Sequence, residues 1–456
     1  MYEEYLKMID EHADEICAVS DAIWDYSELS FKEFKSSALL AAELEKNGFS
    51  VERAAGGIPT CFVGTYGQGK PVIGIQAEFD ALDGLSQKAG LTHPEPRPET
   101  TTGHGCGHNL FAGGSFAAAL AVKAFIDARG TGTVKFFGCP AEENGAGKVF
   151  MVKAGLYKNV DAVVSWHPVS FHMVRTRPSL ANIMVDYSFK GIAAHAGGSA
   201  DKGRSALDAA ELMNVGCNFL REHMSQKFRI HYAFLDVGGE APNVVQSHAT
   251  VRYLIRATDN DAVSELRRRV DLLAQGAATM TETTWTSMVR SAYSNLITLE
   301  TLQAVADEAM RDTPIPKPTE EEIAFGRALQ QTMRLTEEQK AEPLYADCVR
   351  KPAPPVDHGG STDTADVSWN CPTVQMHIGN WVNGTPGHSW QVVSQGKSSF
   401  AKKAELYAGK CVAGTVMRLF DRPETLAAIR EEHFRKTKGV YICPLPDDVK
   451  PMFTEE

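Results

Sequence analysis

The sequence predicts an α/β protein, a mixed sheet flanked by helices, interrupted by a smaller inserted α+β unit. Three observations predict it. Over the first 180 or so residues, short β-rich runs alternate with helix-like stretches, the pattern of a sheet covered on both faces. Near residue 184 the texture changes to two strand–helix pairs. From about residue 298 helices and a further strand-like run follow, as in the second half of a split domain.

The elements follow in order. "PVIGIQAEF" (71–79), "GTVKFFGCP" (132–140) and "DAVVSWH" (161–167) predict strands, each closed by polar or Gly/Pro breaks. The Ala-rich stretch 108–128 and residues 144–155 predict the helices between them. "NIMVDYSFKG" and "ATVRYLIRA" predict strands of the second unit, with "RSALDAAELMNVGCNFLREHM" and "DAVSELRRRVDLLAQGAATM" as its helices. Helices are expected from "ITLETLQAVADEAM" and over 319–334, a strand at "TVQMHIG" (373–379), and mostly helix over 398–436. The domain expectation is therefore 1–183 and 297–456 as two parts of one domain, with 184–296 inserted. "HPEPRPETTTG" (93–103) is a loop.

Composition sets the partners. Net charge is -11 over 456 residues, which argues against nucleic acid, because phosphate binding relies on a basic face. The most apolar run, "LFAGGSFAAALAVKAFI", is shorter than a membrane span and contains Lys123, so a buried helix is expected and no membrane partner. The N-terminus opens acidic, without an export signal, and nine scattered cysteines suit a reducing compartment. A cytoplasmic location is expected.

Chemistry gathers at the predicted strand ends, where open α/β sheets bind their ligands. Glu78 and Asp80 close the first strand, Glu142 and Glu143 follow the second, and His167 ends the third. "TTGHGCGHNL" places His104, Cys106 and His108 on alternate positions of a glycine-rich loop that precedes a helix. Thiolate, imidazole and carboxylate together are a metal-ligand set. Each piece alone has a plainer reading: acids start helices, and histidines end strands.

Together these motifs resemble the aminoacylase/carboxypeptidase family of dinuclear metallopeptidases, in the branch of amino-acid amide hydrolases. The resemblance runs from "WDYSELSFKEFKSSALLAAELEKNGFSVE" through "GHGCGHN", "PAEE", "SWHP", "GIAAHAG" and "APNVVQSHATVRYLIRA" to "GSTDTADVSW" and "PGHS". It implies a hydrolase-like mixed sheet with a lid domain at 184–296 that commonly mediates dimerisation. It also implies Cys106, His108, Glu143, His167 and His388 as ligands of two divalent ions, Cys106 bridging them as thiolate. Glu142 would be the general base that activates a shared water, and Asp80 would orient a ligand. His195 matches the lid histidine that reaches the scissile carbonyl, often in the partner's site. Asn243 and Arg256 match lid positions for substrate contact, and Arg204 is a further carboxylate-clamp candidate. Where the branch usually has Asp, this chain has Glu78; His104 has no assigned ligand role.

The implied activity is cleavage of the amide of N-acyl or N-aroyl amino acids, such as p-aminobenzoyl-glutamate. Zinc or manganese is the expected metal, with nickel or cobalt as alternatives. A homodimer through the lid is the expected assembly. A dipeptidase for β-alanyl or basic dipeptides is the alternative, and an inert metal-binding homologue the alternative of another class. A glutamyl substrate calls for Arg or Lys in the pocket, a basic dipeptide for an acid.

Overall fold

The computed structural model describes residues 2–344, 349–350, 360–451 and 453. Among these residues eleven strands form two sheets. The larger has seven strands in the order β1 (Ser50–Arg53), β2 (Phe62–Gln68), β4 (Gly132–Cys139), β3 (Val72–Glu78), β5 (Ala162–Val169), β11 (Thr373–Gly379) and β6 (Met173–Val174). Its centre is parallel: β3 pairs with β4 and with β5, and β11 with β5. The outer pairs β1–β2, β2–β4 and β6–β11 are antiparallel, so the sheet is mixed, as expected.

The second sheet is wholly antiparallel, in the order β10 (Thr284–Tyr293), β7 (Ala181–Lys190), β9 (His248–Ala257) and β8 (Arg229–Asp236). The helices Ala206–Leu220 and Asn260–Thr281 cover one face of it. Alternation in β9 is strict, with Ala249, Val251, Tyr253, Ile255 and Ala257 buried. Where two strand–helix pairs are expected, the sheet has four strands. β10 is hidden by a register shift between Val289 and Ser291, and β8 by being an edge strand exposed along most of its length.

The helix His108–Arg129 crosses the middle of the larger sheet's core and packs on Ser399–Asp421. It is long and apolar enough to cross a membrane, but 89% of that apolar window is buried inside the protein, the state of a core helix. The helical stretch 398–436 is two helices, Ser399–Asp421 and Pro423–Thr437, divided where Pro423 has no N–H to continue the first.

Candidate active site

The parallel centre of the larger sheet sends the carboxyl ends of β3, β4 and β5 to one edge, and the chemistry collects there. β3 ends on Glu78, with Asp80 two residues beyond; β4 is followed by Glu142 and Glu143; β5 carries His167. The loop 103–107 enters the long helix through Gly107, at φ +77, so that His108 stands at the first turn. A side chain at Gly103 would fall 2.3 Å from the Leu85 carbonyl oxygen, so the loop needs glycine there to pass this close to a neighbouring backbone.

Ala141 precedes the glutamate pair at φ +59, an uncommon conformation for alanine. Its N–H donates to Glu33 Oε1 at 2.8 Å, and Phe31 N donates to the same oxygen at 2.9 Å. Glu33 is therefore a buried clamp on the turn that presents Glu142 and Glu143. It lies in a quoted family stretch, but no local pattern marks it as such.

Hydrogen bonds fix the ligand candidates. Asp80 Oδ1 lies 2.9 Å from His108 Nδ1 and accepts its proton, leaving Nε2 for a ligand role. Asp80 Oδ2 accepts from Glu143 N and from the Ser30 hydroxyl, both at 2.9 Å. His167 Nδ1 donates to the Pro168 carbonyl at 2.8 Å, which turns Nε2 to within 3.4 Å of Cys106 Sγ. His388 sits at φ +56, its N–H bonded to the Gly105 carbonyl, and its Nε2 lies 3.3 Å from Glu143 Oε2.

Among the described residues three sets of potential ligand atoms result, each with its members within 4.8 Å of one another: Cys106, His108, His167; Cys106, Glu143, His388; and Glu78, His108, Glu142. Cys106 belongs to the first two. The donors fit divalent cations on chemical grounds. His108 Nε2 and Glu143 Oε1 are buried acceptors with no hydrogen-bond donor among the described residues. Burial first, then the charge of Glu143, pushes the Cys106 thiol up, a load that a cation relieves. Burial, then Glu78 and Glu143, likewise pushes the Glu142 carboxyl well above its usual range.

Glu78, the departure from the expected Asp, uses its longer arm. Its Oε1 lies 2.6 Å from Lys148 Nζ and its Oε2 3.2 Å from His108 Nε2. Lys148 is fully buried and also pairs with Asp363 at 2.5 Å. Neither Lys148 nor Asp363 was singled out by the sequence, although Asp363 lies in "GSTDTADVSW". His104 stays apart from the ligands, with Nε2 3.0 Å from the Ile23 carbonyl, and burial lowers its pKa to about 4.

These groups open onto a cavity of about 780 Å³ between the two sheets, shared by Glu142, Glu143, His167 and His388 with Arg256 and Tyr293 of the second sheet. Arg256 Nη1 donates to Ser361 Oγ at 3.1 Å. His195 and Asn243 do not line this cavity: both are exposed on adjoining loops, joined by Ala196 N donating to the Asn243 carbonyl at 2.9 Å. Arg204 lies outside the cavity too, its Nε 2.9 Å from Glu282.

Residues 74–334 match the model of peptidase family M20/M25/M40. One of the chains of the Escherichia coli p-aminobenzoyl-glutamate hydrolase is 42% identical, covering 95% of each chain. The mouse Xaa-Arg dipeptidase is 27% identical over 93% of this chain and 90% of its own. Among solved structures, a putative aminohydrolase from methicillin-resistant Staphylococcus aureus has a TM-score of 0.67 at 20% identity, covering 92% of this chain and 99% of its own. A dinuclear metal-binding M20 peptidase from Bacillus subtilis has a TM-score of 0.57 at 18% identity, covering 90% and 99%. The chain belongs to the peptidase family M20/M25/M40, a family of metal-dependent hydrolases.

Proposed function

We propose that this protein is a metal-dependent amidohydrolase that cleaves N-acyl or N-aroyl amino acids, with p-aminobenzoyl-glutamate as the foremost substrate. The observation that carries the reading is Cys106 shared between two ligand sets, with Glu142 on the wall of the same cavity. The 42% identity to a p-aminobenzoyl-glutamate hydrolase chain supports the substrate. Phe171, Met173, Met184 and Leu254 give the cavity apolar wall enough for an aromatic acyl group.

Cys106, His108 and His167 would hold one divalent ion, and Cys106, Glu143 and His388 the other. Zinc suits the donors, with manganese, nickel or cobalt as alternatives. Bound there, two such ions would polarise the amide carbonyl and acidify water. Glu142 takes a proton from the attacking water and delivers it to the leaving nitrogen. Its raised proton affinity suits a group that must both accept and release. Asp80 keeps His108 in one tautomer and Glu143 in place. Arg256 would meet the substrate's α-carboxylate.

The exposure of His195 and Asn243 supports a site completed by a second copy through the lid. β8 is an open edge carrying exposed Tyr232, Phe234 and Leu235, and Phe219 on the neighbouring helix is 70% exposed. A monomeric variant would keep its ions and lose turnover; full turnover in the monomer overturns this arrangement. The competing partner is a chain like the other component of the Escherichia coli p-aminobenzoyl-glutamate hydrolase, which is 26% identical over 56% of this chain. The two are separable by whether the purified protein alone sediments as a dimer. The working compartment would be the cytoplasm.

The test is hydrolysis of p-aminobenzoyl-glutamate beside a panel of acyl amino acids and dipeptides, after chelation and reloading with each metal. Metal-dependent release of the amino acid is expected. No cleavage of any amide by protein holding two ions per chain refutes the reading.

A further inference from the structure

The geometry points to a second anion subsite in the active-site cavity, built on Arg175, that takes the side-chain carboxylate of a glutamyl or aspartyl leaving group. The inference rests on the amide-hydrolase reading and deepens it.

Arg175 follows β6, at the edge of the large sheet, and lines the cavity in which Glu142 and His167 stand. It is built in rather than mobile. Its N–H donates to the Gln375 carbonyl at 2.9 Å, and its Nη1 donates to Gln375 Oε1 at 2.6 Å, so one residue of β11 holds both backbone and guanidinium. Gln303 Nε2 donates to the Arg175 carbonyl at 3.1 Å.

Among the described residues no carboxylate pairs with Arg175, and its one side-chain hydrogen bond goes to a neutral amide. Burial pulls its pKa down to about 10, with the charge of Glu142 working the other way. A half-buried guanidinium satisfied on one arm only is costly to maintain for packing alone. Its remaining N–H groups are the fork that a carboxylate fits. Among the described residues the acids lining the cavity are Glu142 and Glu143, both committed at the metal end, whereas Arg177, Arg256 and Arg350 share its walls with Arg175. With Arg256 left to the α-carboxylate, Arg175 supplies the partner that a dicarboxylic amino acid needs and that a glycyl or basic leaving group lacks.

The experiment compares wild type, Arg175→Met and Arg175→Lys on p-aminobenzoyl-glutamate, p-aminobenzoyl-glutamine, p-aminobenzoyl-glycine and N-succinyl-glycine. Calorimetric binding of L-glutamate and L-glutamine is measured alongside. Wild type should prefer the glutamyl over the glutaminyl substrate. Arg175→Met should lose about a hundredfold in kcat/KM on the glutamyl substrate, and less than about threefold on the glycyl one. Arg175→Lys should recover part of the loss, because charge returns without the fork. Equal losses on both substrates, or no wild-type preference for glutamate over glutamine, overturn the subsite. A preference for N-succinyl-glycine over p-aminobenzoyl-glycine lost in Arg175→Met, without a glutamyl preference, would assign Arg175 to the acyl side and overturn it equally. Selective glutamate binding that Arg175→Met abolishes, in a protein that cuts no amide, supports the subsite and refutes the hydrolase reading instead.

Discussion

Lys148 gives the most exacting test of how this site is held together. Its ammonium stands between Glu78 Oε1 at 2.6 Å and Asp363 Oδ1 at 2.5 Å, with all three side chains buried, and Lys148 N donates to Asp363 Oδ2 at 2.8 Å. Lys148→Met keeps the aliphatic volume and removes the ammonium that stands between two buried carboxylates. Breaking a buried ion pair by deleting one partner costs about 3–5 kcal/mol, because the remaining charge is left uncompensated. Urea unfolding of the chelated protein, so that no ion substitutes for the ammonium, should show a midpoint roughly 1 M lower in Lys148→Met. Adding Glu78→Gln and Asp363→Asn to that variant should recover most of the loss, since the cluster is then neutral. A midpoint within about 0.2 M of wild type, or a triple variant no better than the single one, would refute the reasoning.

Other consequences follow from the same contacts. Glu142→Gln should lower turnover by about 10²–10⁴-fold with metal content unchanged, checked by steady-state kinetics beside elemental analysis; ion loss would make Glu142 a ligand instead. Glu432 accepts from the backbone N–H groups of Glu300 and Thr301 at 2.8 and 3.0 Å, capping the helix Glu300–Asp312 from outside. Burial works to raise its pKa, but the N–H groups of Thr301 and Glu300 outweigh it and bring it down to about 2. A carboxyl depressed in the folded state contributes stability that is fully present above about pH 4.5 and lost as pH falls toward 2. Glu432→Gln should therefore unfold more easily at neutral pH, by about 1 kcal/mol, and lose part of the acid dependence over that window. Thermal melts across pH 2 to 7 check this, and parallel curves for the two proteins would count against it.

How much of this was legible in the sequence depends on the range of the interactions. The strand at 373–379 coincides with β11, and those at 132–140 and 161–167 meet β4 and β5 within a residue or two, because buried parallel strands are short unbroken apolar runs. β1 and β2 went unread: β1 has four residues with little buried surface, and β2 is interrupted by glycines. Local signals, strand ends and glycine turns, marked Glu78, Asp80, Cys106, His108, Glu142, Glu143 and His167 as chemistry-bearing, whereas the ligand roles, and His388 among them, came only with the family resemblance. Lys148 and Asp363 were not, since they are 215 residues apart and nothing local says that a lysine in a helix start is buried. Arg175 escaped for a like reason: only the pairing of β6 with β11 puts it beside Gln375. Arg204 was read as a clamp from its residue type alone, and the fold gives it Glu282.

The most direct test of the account is the number of divalent ions held per chain, measured by elemental analysis after chelation, reloading and desalting, in wild type and in Cys106→Ala. Because Cys106 belongs to the two ligand sets proposed to hold the ions, wild type should hold two ions and Cys106→Ala should retain at most one, weakly. Two tightly held ions in Cys106→Ala, or none in wild type, would contradict a centre bridged by this cysteine.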